Sequence, residues 1–311
     1  MSNCLFAWPD YTINTTGNYF DSSAHASVSG GNWSGLNRLQ DDALGTKANS
    51  VDLNPASTRF IVNLCNGDPV DVKVIALIGL NAQDGCQVRV RAHSAAANIS
   101  FDDIDLPVRA EYMVFDSGVV DFWSPYYPQG SLPWGHPSLW DGGLVPLEDL
   151  INFPRCKYFV LPNEWAAQAT FVMVEIFDQH NTEGHVSLSR CFVAPAWQPP
   201  LNMLYGAQMG WDDSATSVVT SRGGVDYFEE NPKHRVCNFT LETTSPVART
   251  WFSEMQRKLG KSKELFFIFD PDDVSMVEQT ASFLAYMRNN NPFTFQFFDN
   301  ANMQFQLKEK L

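Results

Sequence analysis

Charge is scarce in this 311-residue sequence and lopsided where it occurs. Only 18% of residues are charged, and 35 acidic side chains face 21 basic ones, a formal net of −14. Residues 1–195 hold ten basic and 21 acidic residues, a net of −11, so the acidity sits in the first part. An acidic face repels phosphate, which argues against nucleic-acid binding and against docking on an anionic membrane surface. Long hydrophobic runs are missing too: the longest, Val74–Leu80, is too short to span a bilayer. The start, MSNCLFAWPD, has no basic n-region and no long apolar core, so no signal peptide is expected. Cysteine is sparse, at positions 4, 65, 86, 156, 191 and 237, and no two form a C-x-x-C pair. That excludes a zinc ribbon or redox motif and leaves small buried hydrophobes, as in a protein folded in a reducing cytosol.

Catalytic signatures are also lacking. There is no G-x-S-x-G elbow, P-loop, H-E-x-x-H or Rossmann glycine fingerprint. His180 and His185 flank Glu183, but H-x4-H on a tight loop is not a familiar zinc spacing. The acidic clusters Asp102, Asp103, Asp105 and Asp270, Asp272, Asp273 lack the fuller ligand pattern of a calcium loop. A glycosidase needs two carboxylates facing each other across a cleft, and no motif nominates a pair. The expectation is a protein that is not an enzyme and holds no metal or cofactor.

What is abundant is apolar and aromatic: 44% hydrophobic, with 23 Phe, 9 Trp and 9 Tyr. So the chain folds, and its rings belong to cores, interfaces or stacking platforms. Through the first part the pattern is that of strands. Phe60–Leu64 is one; Val70–Leu80 alternates and then turns continuously apolar, as a strand half exposed at its start and buried at its end. Gln87–His93 alternates strictly, Val88 and Val90 facing one way, Arg89 and Arg91 the other. Tyr112–Phe115, Tyr158–Leu161, Ala169–Phe177 and Val186–Val193 follow. Short strands spaced by turns, with no helical period, predict a β-sandwich. Residues 1–50 read as loops anchored by Trp33, Leu36 and Leu39.

Leu188–Gly206 then changes the register. Pro195, Trp197, Pro199 and Pro200 make a stiff, partly apolar connector that neither a helix nor a central strand should traverse. It divides the chain into residues 1–194 and 195–311, each of ordinary domain size. In the second part, strands are expected at Leu201–Gly210, Gly223–Phe228, Arg235–Thr243, Glu264–Phe269, Ser282–Met287, Pro292–Phe298 and Gln304–Leu311. One helix, Pro246–Leu259, is expected between them. Ser245 is its cap, Pro246 its first residue and Gly260 its stop, and Val247, Trp251, Met255 and Leu259, with Phe252 beside them, form its apolar stripe.

Residues 116–149 form a long excursion rich in Pro, Gly and rings: Trp123, Tyr126, Tyr127, Trp134 and Trp140. Loops of this length are usually functional. Two readings stand side by side: saccharide-stacking platforms, or anchors buried in a contact with the chain itself or a neighbouring subunit.

Two resemblances add to this. Phe60–Leu64, then VKVIALIGLN (Val72–Asn81), then QVRVR (Gln87–Arg91), with FVMVEIFD (Phe171–Asp178) and VSLSRCFV (Val186–Val193), resemble the galactose-binding-like jelly roll across most of residues 30–194. A single helix within an otherwise antiparallel sheet, and the runs NMLYG, RGGVDY, HRVCNFTL and FIFDP over residues 188–311, resemble the phage tail-tube-like fold and structural proteins encoded near the tape-measure gene of long-tailed phages. Together they imply a mainly β chain: an N-terminal galactose-binding-like β-sandwich and a C-terminal tail-tube-like β-sandwich with one packed helix. The combination resembles a distal tail or baseplate protein, although known distal tail proteins generally place the ring domain first. The resemblance implies a hexameric ring of this chain in the virion tail tip, made in the host cytoplasm, with the tail tube, tape-measure and baseplate hub proteins as partners. Its rim would come from Phe266, Phe267, Phe269, Phe293, Phe295 and Phe297. The alternative implied by the sandwich is a carbohydrate-binding module contacting host surface glycans through Trp123–Trp140.

Overall fold

A computed structural model describes residues 3–13, 26–64, 68–94, 112–123, 126–127, 130, 132–146, 155–162, 167–212, 216–219, 226–229, 232–243, 245–272, 281–297 and 300–311. The protein is mainly β, and the chain divides into two compact units. A sandwich unit contains Ala7–Trp197, and a helix-bearing unit contains Met1–Phe6, Gln198–Asp270 and Ala281–Leu311.

The first strand, β1 (Leu5–Ala7), is the main departure from the expected division at 194/195. The first six residues group with the C-terminal unit, so the sandwich is inserted after a strand of the other unit rather than preceding it. The run Cys4-Leu-Phe-Ala-Trp8 is apolar enough to signal a buried strand. Its brevity, ahead of a Pro, hides it among loops.

Strands β2–β16 build the sandwich unit: β2 (Ser27–Ser29), β3 (Trp33–Ser34), β4 (Ala48–Ser50), β5 (Phe60–Asn63), β6 (Val70–Val72), β7 (Val74–Ile78), β8 (Gln87–His93), β9 (Met113–Asp116), β10 (Val120–Asp121), β11 (Cys156–Val160), β12 (Ala167–Ala169), β13 (Phe171–Phe177), β14 (Ser187–Leu188), β15 (Arg190–Ala194) and β16 (Ala196–Trp197). An antiparallel sheet in the order β10-β8-β13-β5-β2, with β9 also on β8, supplies one layer. The sheet β11-β7-β15 supplies another. Val88, Val90, Val172, Val174 and Ile176 from the first layer join Ile75, Leu77, Phe159, Cys191 and Val193 from the second in one buried core. Three expected strands are broken in two, at Lys73, Thr170 and Ser189. At the first break the halves serve different sheets: β6 pairs with β12, whereas β7 pairs with β11 and β15. Arg89 and Arg91 do face away from the valines, paired with Asp116 at 2.6 Å and Glu175 at 2.8 Å.

The segment before β2 is tied down by ions. Asp10 accepts from Arg190 Nε at 3.1 Å and Nη2 at 2.5 Å, and from the Thr12 and Val193 amides, all buried. At the connector, Trp8 N donates to the Pro195 carbonyl at 3.1 Å, and β16 occupies two residues where no strand was expected. Edge strands tolerate a neighbouring proline because the missing amide faces no ladder.

The helix-bearing unit contains β17 (Gln208–Asp212), β18 (Thr216–Val219), β19 (Asp226–Glu229), β20 (His234–Thr243), β21 (Glu264–Ile268), β22 (Phe283–Met287), β23 (Thr294–Phe297) and β24 (Asn300–Glu309). Its sheet runs β1-β21-β22-β24-β20-β17, with β23 on β24; Leu201–Gly206 lies outside the strands. In β20 buried residues alternate with half-buried ones over ten positions, and in β24 with half-buried ones and the exposed Gln304, so one face of each strand is core. Phe6 stands at the centre of that core. Its ring centroid lies 5.3–6.5 Å from those of Phe239, Trp251, Phe252, Phe267 and Phe305.

The unit's helix spans Pro246–Leu259, as expected, and Gly260 ends it at φ +56°. Ser245 holds the cap position without a side-chain bond to the helix. The buried stripe is Ala248, Phe252, Met255 and Leu259 rather than one starting at Val247, which is 75% exposed. Both stripes have helical spacing; Phe252 is buried against Phe6 and Phe305, whereas Trp251 is half-buried.

Candidate functional site

Three places present chemistry outward. The first is the aromatic excursion of the sandwich unit. A short helix, Pro137–Trp140, is capped by His136, whose Nδ1 accepts from the Ser138 amide at 3.2 Å. Tyr127 lies edge-on to His136 at 5.7 Å, and its amide donates to Gly143 O at 2.8 Å. Gly143 N donates in turn to Ser138 O at 2.7 Å, and Tyr126 forms a bridge with Leu144. These bonds hold Trp134 and Trp140 as a wedge, 6.0 Å apart at 67°, with 88% and 72% of their surfaces exposed. Trp123 and Tyr127 do not join that wedge: both are half-buried against Val145, and Trp123 also packs on the sandwich core. Tyr126 is exposed.

The second place is the edge of the helix-bearing sheet. Strand β17 is its end strand, with Met209 opposite Cys237 and Trp211 opposite Arg235. Residues paired across a ladder share a face. Cys237 and Arg235 lie on the buried face of β20, so that face continues onto Met209 and Trp211, which are 43% and 60% exposed. Neither residue stood out in the sequence, where QMGWD lacks the apolar density of a buried strand. Between β17 and β20 in sequence, β18 and β19 pair with each other.

The expected phenylalanine rim is corrected here. Phe266 and Phe267 are fully buried in β21, so their rings fill the unit's own core and are not available to a neighbour. Phe269 and Phe293 are half-buried. Phe295 is 61% exposed beneath the Arg249 guanidinium, 5.9 Å away. The side chain of Phe297 lies outside the described residues. In the connector Pro195 and Trp197 are half-buried, Pro199 is buried and Pro200 exposed; the Pro199 carbonyl accepts from Asn3 Nδ2 at 2.8 Å.

The third place is a cleft of about 410 Å³ lined by Gly85, Gln87, Val119, Phe177, Gln179 and His180. Beside it the Asp178 carboxyl is buried, and burial raises its pKa above the ordinary value although Asn181 and the Gln83 amide both bond it. His185 lies 4.0 Å from Glu183. Among the described residues no three His, Cys, Asp or Glu side chains come together as a metal site. Asp102, Asp103, Asp105 and Asp273 fall outside the described residues. Cys4, Cys86, Cys191 and Cys237 are buried free thiols, and burial pushes that of Cys4 up to about 12. No described helix is long and apolar enough to cross a membrane.

The architecture is thus a mainly β protein with an antiparallel sandwich unit and a sheet unit bearing one principal helix. No protein-family model and no curated protein sequence matches the chain. Among solved structures, the family 32 carbohydrate-binding module of C. perfringens NanJ, in complex with galactose, is a neighbour at 14% identity. The alignment covers 62% of this chain and 99% of that one, with a TM-score of 0.31.

Proposed function

We propose that this chain is a non-enzymatic structural subunit of a phage tail tip or baseplate. In this reading the helix-bearing unit joins copies into a symmetric ring, hexameric by resemblance, between the tail tube and the tape-measure and hub proteins of the virion. The observation that carries it is β17, the end strand of its sheet among the described residues, where Met209 and Trp211 continue the buried face of β20 yet are 43% and 60% exposed. An end strand with unpaired backbone groups and exposed apolar side chains pairs readily with another chain, and soluble proteins ordinarily blunt such an edge with charge or proline. In β17 the only charged residue is the last, Asp212, and it is engaged with Lys308 at 3.0 Å on the face opposite Met209 and Trp211.

Light scattering and electron microscopy of the purified chain test this. The expected result is a closed ring, and a Trp211→Asp variant that keeps its circular dichroism but runs as a monomer. A monomeric wild type, or a Trp211→Asp chain that assembles normally, refutes it. Glycine at Pro199 and Pro200 should leave both units folded yet impair assembly.

A second reading, glycan contact by the sandwich unit, is favoured by the exposed Trp134–Trp140 wedge, since large exposed rings on an internally bonded loop mark a binding surface. Saccharide binding that is lost in Trp134→Ala supports it.

A further inference from the structure

We propose that the basic end of the helix Pro246–Leu259 in one copy of the chain docks on the acidic sandwich unit of a neighbouring copy. The proposal rests on the ring reading and names a second surface, beside the β17 edge, through which copies would meet.

The chain is acidic, and its helix is the exception. Residues 246–263 hold five basic side chains and one acidic one, a net of +4, against −11 for residues 1–195. The helix buries Ala248, Phe252, Met255 and Leu259. Arg257 follows Met255 by two residues, about 200° around the axis, and so stands exposed on the opposite side. Lys261 and Lys263 are exposed as well, past the helix stop at Gly260. Basic residues in a last turn offset the helix dipole, which accounts for Arg257 and Lys258 but not for two more lysines beyond the helix. Little acid balances them. Glu254 reaches Lys258 at 3.6 Å, and Glu264 is buried and paired with Lys310 at 2.7 Å. Arg257 and Lys261 form no ion pair among the described residues.

Charge selects the partner. Among the described residues of the sandwich unit Arg38 and Arg155 are the only exposed bases, and Arg38 already donates to Lys47 O at 3.1 Å. Exposed acids are spread over the same unit, and Asp84, Asp121 and Glu183 share one corner of it. The Phe122 amide donates to Cys86 O at 2.8 Å, which holds Asp121 beside the turn of Asp84. Gln83 Nε2 donates to Thr182 Oγ1 at 2.6 Å, which joins that turn to the one bearing Glu183. Nucleic acid carries the same sign of charge as most of this chain and is repelled by it. A second copy, in contrast, brings the complementary surface with it. Contacts between unlike surfaces run head to tail, and they generate a ring when the rotation closes. Complementary potentials also steer the encounter and fix its register.

Sedimentation of the full chain, with salt and charge varied, tests this. Assembly should weaken between about 0.1 M and about 1 M NaCl, where the screening length falls from about 10 Å to about 3 Å. A purely apolar contact at β17 would not weaken in this way. Arg257→Glu with Lys261→Glu should raise the dissociation constant about tenfold or more, and Asp84→Lys with Asp121→Lys should do the same. All four side chains are exposed, so the folds should hold, checked by circular dichroism. Arg257→Gln with Lys261→Gln, which puts no reversed charge at the helix end, should fall between wild type and the reversal. Mixing the two reversed chains restores opposite signs at every contact, so the mixture should assemble where neither chain does alone. A mixture that stays dissociated overturns the proposal. Assembly that ignores salt and both reversals but is lost in Trp211→Asp overturns this contact and leaves the ring reading standing. A wild type that is monomeric at low salt overturns both. Duplex DNA retarded by the wild type and not by the helix reversal, with assembly unchanged, assigns the patch to nucleic acid and overturns the proposal.

Discussion

Truncating one side chain six residues from the N-terminus should loosen a unit whose other residues begin near position 198. Phe6 is fully buried and touches five other rings of the helix-bearing unit. Phe6→Ala removes a large apolar side chain and leaves a cavity that the surrounding sheet and helix refill only in part. That costs about 3–5 kcal/mol. A domain holds only about 5–15 kcal/mol in total, so the unit would lose a large share of its stability. Hydrogen exchange read by mass spectrometry gives the answer unit by unit. Amides of Pro246–Leu259 and Asn300–Glu309 should exchange faster by about a hundredfold or more, following the free energy of opening. Amides of Gln87–His93 and Phe171–Phe177 should keep their protection, since they lie in the sandwich unit. If the helix and β24 keep wild-type protection, then β1 is no part of that core and the discontinuous unit is wrong. Equal loss in both units would refute their separate stability.

Two further outcomes concern the sandwich unit. Burial, reinforced by the Arg91 charge and opposed by Asp116, pulls the His93 imidazole down to about 4. The fold therefore holds the neutral ring, while the unfolded chain protonates near pH 6.5. This contribution is complete above about pH 6.5 and is lost as pH falls towards 4, about 3 kcal/mol in all. Urea titrations at about pH 7 and about pH 4 should show a loss that is smaller by that amount in His93→Gln; identical pH profiles for the two chains would refute it. Asp10→Asn leaves the Arg190 guanidinium buried without its closest carboxylate, which costs about 3–5 kcal/mol. Thermal unfolding of the sandwich unit should show it, and a change under about 1 kcal/mol would mean that Asp42, 3.7 Å from Arg190, takes over.

Local patterns were legible along the chain. Gln87–His93 and Pro246–Leu259 have the spans their periodicity predicts, because alternation and helical spacing are written into neighbouring residues. The arginines and valines of β8 could be assigned to opposite faces for the same reason. The candidate sites were only partly legible: Trp134 and Trp140 stood out as rings in a long loop, but nothing local separated them from Trp123, which packs inward.

What the sequence by itself determined is the class of protein: mainly β, acidic, rich in buried rings, with one long helix and a change of character near Pro199. Tertiary structure decided the rest. A strand or helix has more than one face that can be buried, and only the packed partner selects among them; hence Phe266 and Phe267 turn inward and Ala248 replaces Val247 in the helix stripe. Membership of a sheet is likewise not local. Leu5 and Phe6 find their place beside strands more than 250 residues away, and Gln87 meets Phe177 only through the register of β8 and β13. Contacts between residues so distant in sequence have no periodic signal, so the core of one unit and the cleft of the other become visible only once the chain is folded.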